Sequence, residues 1–499
     1  MKYAKNIERK HSLFQVRMNI NLTGKFLFFV YSVVIFILFI AVFLNPSKLN
    51  ITLAYSGGLL CLVFFLLANI WNTFINIERF LFHLVFITGF LGSALLPIYL
   101  GEFTLFPFRV FLTALWFLFT LHTLVDNGEF KVRIFSRTVR WSLIFLGLWL
   151  TYAFLSLGWA VSKIDVIRTW IFLFFGISLI VFTIHYTQNE KDFQLLYAFW
   201  LIMHLLLCVQ GLYEHATGLH LPSSKLFEDP RVWLLQIPTS VFHNPNDFAT
   251  FLSISAPFAI SLYRYGRGLA SKITGGIIVT SSFYLIVVTG SRANILAFLI
   301  GLFFILIFLT NISGKFKSVI SIIFIGLLLS QILGQEFFPK INEELGSLVI
   351  TSNLDYGSVA VRKNLIKNSL VFLYNTLGFG VGSGNAEYWM EHFQVFATYG
   401  ITNPHNWWVE ILVNYGILVF IGYIIMYFSI MKDLWEIHRK TNARIIKMTS
   451  EALLVSCIIF SLAIVSSSSI MTFRPQWYLF ALALAFLNIH GKRRVLKPS

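Results

Sequence analysis

His405 lies in the run Asn403-Pro404-His405-Asn406-Trp407-Trp408, where the mixed stretch 335–407 gives way to the almost wholly apolar Val409 to Met431. An imidazole titrates near neutral pH and can take a proton from a hydroxyl. Two Trp beside it favour a membrane–water boundary, a suitable place to act on a lipid-borne substrate. Six arginines add a second kind of chemistry: Arg109, Arg168, Arg231, Arg292, Arg362 and Arg474. A guanidinium binds phosphate oxygens two at a time, so an anion is its natural partner. Glu410, five residues after His405, either orients that imidazole or caps the helix that starts there; the cap is the simpler expectation. Against these readings, His405 is equally an ordinary interfacial residue, and any single arginine is accounted for by snorkelling to headgroups or pairing with a loop carboxylate.

The elements that must position these residues are membrane helices. Of 499 residues 57% are hydrophobic and only 12% charged, which excludes an ordinary soluble surface. Apolar runs long enough to cross a bilayer occur at 26–44, 51–70, 80–100, 105–125, 141–160, 166–186, 193–213, 247–263, 271–289, 293–310, 316–334, 408–431, 452–470 and 475–489. The fold class expected is an all-α polytopic membrane protein with 12 to 14 transmembrane helices and one large extracytoplasmic loop domain. Its segments are a basic tail 1–25, spans 26–334 with an outer loop 214–246, a loop domain 335–407, spans 408–489 and a basic tail 490–499. The first apolar stretch is followed by Asn-Pro rather than small residues, so no cleavable signal is expected.

Charge sets the expected orientation. With both termini cytoplasmic, 26 of the 38 Lys and Arg fall on the inner side and 10 on the outer. The net charge of +16 is therefore an orientation signal, and no nucleic-acid partner is expected. On this topology all six arginines lie outside or in the outer part of a span, and 335–407 with His405 is extracytoplasmic. Within that loop, Ser358 to Tyr374 reads as an amphipathic helix and 385–399 as a second one, separated by the glycines of Leu377-Gly378-Phe379-Gly380-Val381-Gly382-Ser383-Gly384.

Several chemistries lack their residues. Cys61, Cys208 and Cys457 all sit in apolar runs, without a disulfide framework or CxxC motif. There is no Asp-x-Asp for a metal-held nucleotide sugar. No acid falls in the middle of a predicted span, which weighs against a cation-coupled transporter. Glu214, His215, His220 and His243 match no familiar zinc spacing, so no metal or other cofactor is expected.

Three segments together resemble the O-antigen ligase and polymerase superfamily. Val288-Thr289-Gly290-Ser291-Arg292-Ala293-Asn294 is similar to its Gly-Ser-Arg turn opening a span. Arg362 with Gly378-Phe379-Gly380-Val381-Gly382-Ser383-Gly384-Asn385 is similar to its helix-borne Arg and glycine turn. His405-Asn406 running into Leu412-Val413-Asn414-Tyr415-Gly416 resembles its His-Asn segment. Upstream, Asn244-Pro245-Asn246 looks like the family's entry to a span, with Arg231 before it; Asn414 departs from the pattern, where many members carry Glu. The agreement in order and placement covers roughly residues 230–425.

The resemblance implies glycosyl transfer on the outer face of the cytoplasmic membrane. The donor would be a glycan repeat unit on undecaprenyl diphosphate, and the acceptor another lipid-linked glycan, for a cell-wall or surface polysaccharide such as teichuronic acid. His405 would be general base, with Arg292 and Arg362 on the diphosphate. Arg231, Arg474, Arg168, Arg109 and Asn406 would be further diphosphate or glycan contacts, with no metal or nucleotide sugar. Partners would be the two lipid-linked glycans and membrane lipids; a chain-length regulator or another wall-polysaccharide enzyme is a partner class that no residue identifies. Ligation of a finished chain would use the same residues. A flippase for the lipid-linked glycan would also want a cationic cavity but has no need of a large loop ending in His-Asn, and a scaffold for other wall enzymes is supported by the loop alone.

Overall fold

The computed structural model describes residues 77–100, 103–125, 135–310, 358–465 and 470–491, apart from 228, 230, 232 and 233, together with isolated residues between 313 and 319. The predicted spans 26–44, 51–70 and nearly all of 316–334, the tail 1–25 and the loop residues 335–357 lie outside the described residues. The chain divides into two compact units, one of residues 1–131 with 221–223 and one of the remainder.

In the first unit, α1 (Ile77–Leu91) packs along α2 (Pro107–Val125). A short antiparallel hairpin joins them, β1 (Ile98–Leu100) with β2 (Phe103–Leu105) and Tyr99 opposite Thr104. His122 Nδ1 and Glu78 Oε1, 2.9 Å apart, tie the two helices.

The second unit is a helix bundle: α3 (Arg137–Leu155), α4 (Lys163–Tyr186), α5 (Glu190–Thr217), α6 (Pro245–Tyr265), α7 (Gly268–Val288), α8 (Arg292–Phe308), α9 (Ser358–Asn375), α10 (Ala386–His392), α11 (Trp407–Lys440), α12 (Arg444–Ala463) and α13 (Arg474–Gly491). Among the described residues seven helices are long and apolar enough to cross a membrane. The protein is an all-α polytopic membrane protein. Sequence breakers explain the helix ends: Asn189 caps α5 and Asn244 caps α6 just before Pro245, while Gly218 ends α5 in left-handed backbone.

Two helices form the interior. α6 and α13 are buried on nearly every face. α13 packs on α4, α11 and α12, and α12 in turn on α6 and α8. Gly176 lets the Trp477 ring lie on α4, and Gly301 lets Ile459 lie on α8; a side chain at either glycine would overlap its neighbour. Buried Trp149 sits among Trp407, Tyr415, Tyr423 and Trp477, with ring centroids 5.4–6.4 Å away.

The structure changes one sequence-based exclusion. Span 452–470 was predicted to begin just past Glu451, but α12 starts at Arg444 and holds Glu451 fully buried in its interior. The charge is tolerated because Arg264, at the end of α6, donates to Glu451 Oε2 at 2.5 Å, with Ser261 and Tyr265 also donating to that carboxylate.

Candidate active site

One end of the second unit collects the loop after α5, the turn between α7 and α8, the segment 376–406 and the start of α13. His405 lies at this end in left-handed backbone, φ 49°. Such values are uncommon outside glycine, although His is among the enriched exceptions. Flanking asparagines impose the conformation. The His405 N–H donates to Asn403 Oδ1 at 2.8 Å, and Asn406 Oδ1 accepts from the Trp408 and Val409 N–H groups, capping α11. The cap expected of Glu410 is therefore made by Asn406, whose side-chain oxygen is engaged by the backbone. Glu410 occupies the first turn of α11. Asn403 Nδ2 in turn donates to Glu387 of α10 at 2.6 Å.

Trp407 and Trp408 both hydrogen-bond into the bundle. Trp407 is fully buried and donates to Tyr423 Oη at 3.0 Å; Trp408 Nε1 donates to the Ser461 carbonyl of α12 at 3.1 Å. They bolt the residues after His405 into the bundle. A Trp pair at a chain boundary reads alike for an interfacial or an interior role until the neighbouring helices are known.

The glycine segment docks onto a break in α11. Gly416 has φ 77° and ψ −177° inside the helix, which frees carbonyls on one side and amides on the other. Val381 N–H donates to Val413 O at 2.8 Å, Gly382 N–H to Asn414 O at 3.1 Å and Ile417 N–H to Gly378 O at 2.9 Å. Asn414 completes the join: its Oδ1 accepts from Ala386 N–H at 2.9 Å and its Nδ2 donates to Glu410 O at 3.1 Å. On the other side the segment is held by the α3–α4 turn. Tyr152 Oη donates to Phe379 O, Trp159 Nε1 to Gly380 O, and buried Asn385 bridges to both the N–H and the carbonyl of Ser162. Asn385 and Asn414 were visible in the sequence only as parts of motifs. Tyr152 and Trp159 carried no signal, because more than two hundred residues separate them from their partners.

α9 matches its predicted helix closely, and its Val361, Leu365 and Phe372 pack with Met390 and Val413. The helix predicted at 385–399 stops at His392. Asn368 of α9 accounts for the difference: its Oδ1 accepts from the Val395 and Phe396 N–H groups and its Nδ2 donates to Phe396 O, so this backbone is bonded outside a helix.

The arginines fall into three groups. Arg292 starts α8 and Arg362 lies one residue past Val361 on α9; both are exposed at the His405 end of the bundle. Half-buried Arg474 starts α13 there too, beside Phe473, whose ring lies 5.8 Å from Phe242 of the loop after α5. Arg168 and Arg231 each pair with a nearby acid. Arg168 lies 3.3 Å from Asp165, one helical turn away, and Arg231 clasps Asp229 with two bonds of 2.9 and 2.7 Å. The Arg231 hydrogen bonds and charge hold the Asp229 carboxyl down at about 2. Arg109 belongs to the first unit, where it donates to Thr104 O and lies over the Phe106 ring.

The loop after α5 is built on one buried carboxylate. Glu214 Oε2 accepts from the Thr239 and Ser240 N–H groups, both at 2.7 Å, and His220 Nδ1 lies 3.4 Å away. Burial lowers the His220 pKa, but the Glu214 hydrogen bond and charge, with Leu235 O, outweigh it and leave the imidazole above its ordinary value. His215 turns instead to Gln236 O. Among the described residues no three His, Cys, Asp or Glu come together as metal ligands. The next turns meet across the bundle, where Asn294 Nδ2 donates to Asn246 O at 3.4 Å.

A bundle of membrane helices whose glycine-rich turn and His-Asn corner are locked together by a broken helix defines a class. Residues 277–424 match the O-Antigen ligase family, a range from the middle of α7 to the residues just past the Gly416 break. Over 438 residues the chain is 32% identical to the "Teichuronic acid biosynthesis protein TuaE" of Bacillus subtilis (strain 168), covering 86% of this chain and 88% of that protein. The chain belongs to this O-antigen ligase and polymerase family, and is a multi-pass membrane enzyme of polysaccharide biosynthesis. A chain of a peptidoglycan synthase complex, solved in a study of how polymerization and crosslinking are coordinated, aligns with a TM-score of 0.41 and 13% identity, covering 72% of this chain and 98% of that one.

Proposed function

We propose that the protein polymerises undecaprenyl-diphosphate-linked glycan repeat units on the outer face of the cytoplasmic membrane, with both termini cytoplasmic. His405 carries the reading. It is a half-buried residue held in uncommon backbone by asparagines on both sides, at the bundle end that also presents Arg292 and Arg362. Strained backbone persists only where its surroundings enforce it, and often serves a site.

In the proposed step His405 accepts the proton of the acceptor hydroxyl while that oxygen bonds to the anomeric carbon of the donor. The bond from this carbon to the diphosphate oxygen breaks, and its electron pair leaves with the diphosphate. Arg292 and Arg362 stabilise the charge gathering there. A single displacement inverts the anomeric centre. Arg474 serves in this reading as a further contact for the diphosphate or an acidic sugar. Arg168 and Arg231 reach an anion only by sharing it with Asp165 and Asp229, so their contribution is smaller.

The test is chain extension from purified lipid-linked repeat units by the wild type beside His405→Ala. A ladder of products lost in a folded variant is the expected result. An unchanged ladder removes His405 from the mechanism, and translocation of the lipid-linked glycan without extension would make the protein a flippase.

A further inference from the structure

At the other end of α11 from His405, a cavity of about 740 Å³ opens between the start of α3, residues Gly422 to Ile437 of α11 and the end of α13. Part of its wall is apolar, from Trp141, Phe145, Met426 and Leu487. A side chain at Gly422 would strike the Phe145 ring, so α3 and α11 touch there. Another part holds Arg137, Lys432, Asp433 and Glu436. Thr138 Oγ1 donates to Asp433 at 2.6 Å, and Lys440 Nζ to Glu436 at 3.2 Å. Neither Arg137 nor Lys432 forms an ion pair with a described residue.

Two features mark the cavity as more than a gap. Arg137 opens α3, whose first amides have no acceptor within the helix and favour an anion. Ser136, also in the lining, is 5% exposed; its hydroxyl does not cap α3 and makes no hydrogen bond with any described residue. A ligand here meets two cations, the carboxylates of Asp433 and Glu436 (bonded already to Thr138 and Lys440) and an apolar slot together. An anionic headgroup would set its negative charge beside Asp433 and Glu436, and free phosphate would leave the apolar wall unused.

We propose that this cavity binds a zwitterionic phospholipid headgroup of the phosphoethanolamine kind. Its phosphate lies on Arg137, Lys432 and the first turn of α3, its ammonium on Asp433 and Glu436, and an acyl chain along Trp141, Phe145 and Leu487. This is independent of glycosyl transfer and of His405. It also places the cavity at the end of the bundle richest in Lys and Arg, where a headgroup layer is expected.

Native mass spectrometry of the full detergent-solubilised chain tests it, with added phosphatidylethanolamine, phosphatidylglycerol or inorganic phosphate. One retained phosphatidylethanolamine, preferred roughly tenfold over phosphatidylglycerol, is expected, and the retention is lost in Arg137→Ala/Lys432→Ala. Equal retention of both lipids, or preference for phosphatidylglycerol, overturns the proposal. So does inorganic phosphate displacing the bound lipid at matched concentration. Should the double variant fail to fold, Glu436→Gln serves instead: loss of the discrimination between the two lipids supports the ammonium site, and unchanged discrimination overturns it.

Discussion

Replacing Gly416 with Ala tests the central joint of the site, where the glycine segment is pinned to broken α11. At φ 77° and ψ −177°, Gly416 occupies a region essentially restricted to glycine. Ala there costs on the order of 1–3 kcal/mol in backbone strain. Its Cβ would also lie 2.5 Å from the Phe379 carbonyl carbon and 2.6 Å from that oxygen, so the segment must move away. Moving it breaks the bonds from Val381, Gly382 and Ile417, each worth about 1 kcal/mol net. Together the loss is about 4–6 kcal/mol, a large part of typical domain stability. Gly147→Ala in α3 is the control. A Cβ there meets nothing within 4 Å, and Ala favours a helix over Gly by roughly 0.5–1 kcal/mol. Denaturant unfolding in detergent and the chain-extension ladder are measured on both. Gly416→Ala should lose stability and extension while Gly147→Ala keeps both; a Gly416→Ala protein within about 1 kcal/mol of wild type and fully active refutes the joint.

Other expectations follow from individual contacts. Since His405 sits in left-handed backbone, His405→Gly should unfold about 1 kcal/mol later than His405→Ala, both inactive in extension; Ala as the more stable variant would show that the turn carries no strain. Removing Glu451 strands Arg264, so Glu451→Ala should cost about 3–5 kcal/mol, while Arg264→Met/Glu451→Leu recovers most of it; equal loss in both denies the pair its role. His220 has a folded pKa raised by Glu214, so its contribution is fully present below the ordinary imidazole value and lost as pH rises through the raised one. Melting temperature followed from mildly acidic to mildly alkaline pH should fall in wild type relative to His220→Gln, and parallel curves would remove the Glu214–His220 pair from the stability of the loop.

Local pattern sufficed for much of the architecture. Apolar runs placed α3 to α8 and α13 within about five residues of their observed ends, because a helix that spans lipid must satisfy its backbone internally and so writes its length into the sequence; α11 instead runs on to Lys440, and α12 spans 444–463 rather than 452–470. The period of apolar residues marked α9 for the same reason of local geometry. Residue type alone marked His405, Arg292 and Arg362 as reactive or anion-binding. Tertiary structure decided what those residues can do. It paired Arg168 and Arg231 with acids, placed Trp407 in the interior, and made Asn406 a cap. It also joined Asn385 and Asn414 to backbone groups 28 to 223 residues away. Hydrogen bonds of that span depend on which helices become neighbours, a property of the packed bundle that no window of sequence contains. The backbone of His405, φ 49° between two asparagines, joins the two levels: its type was legible along the chain, and its conformation exists only in the fold.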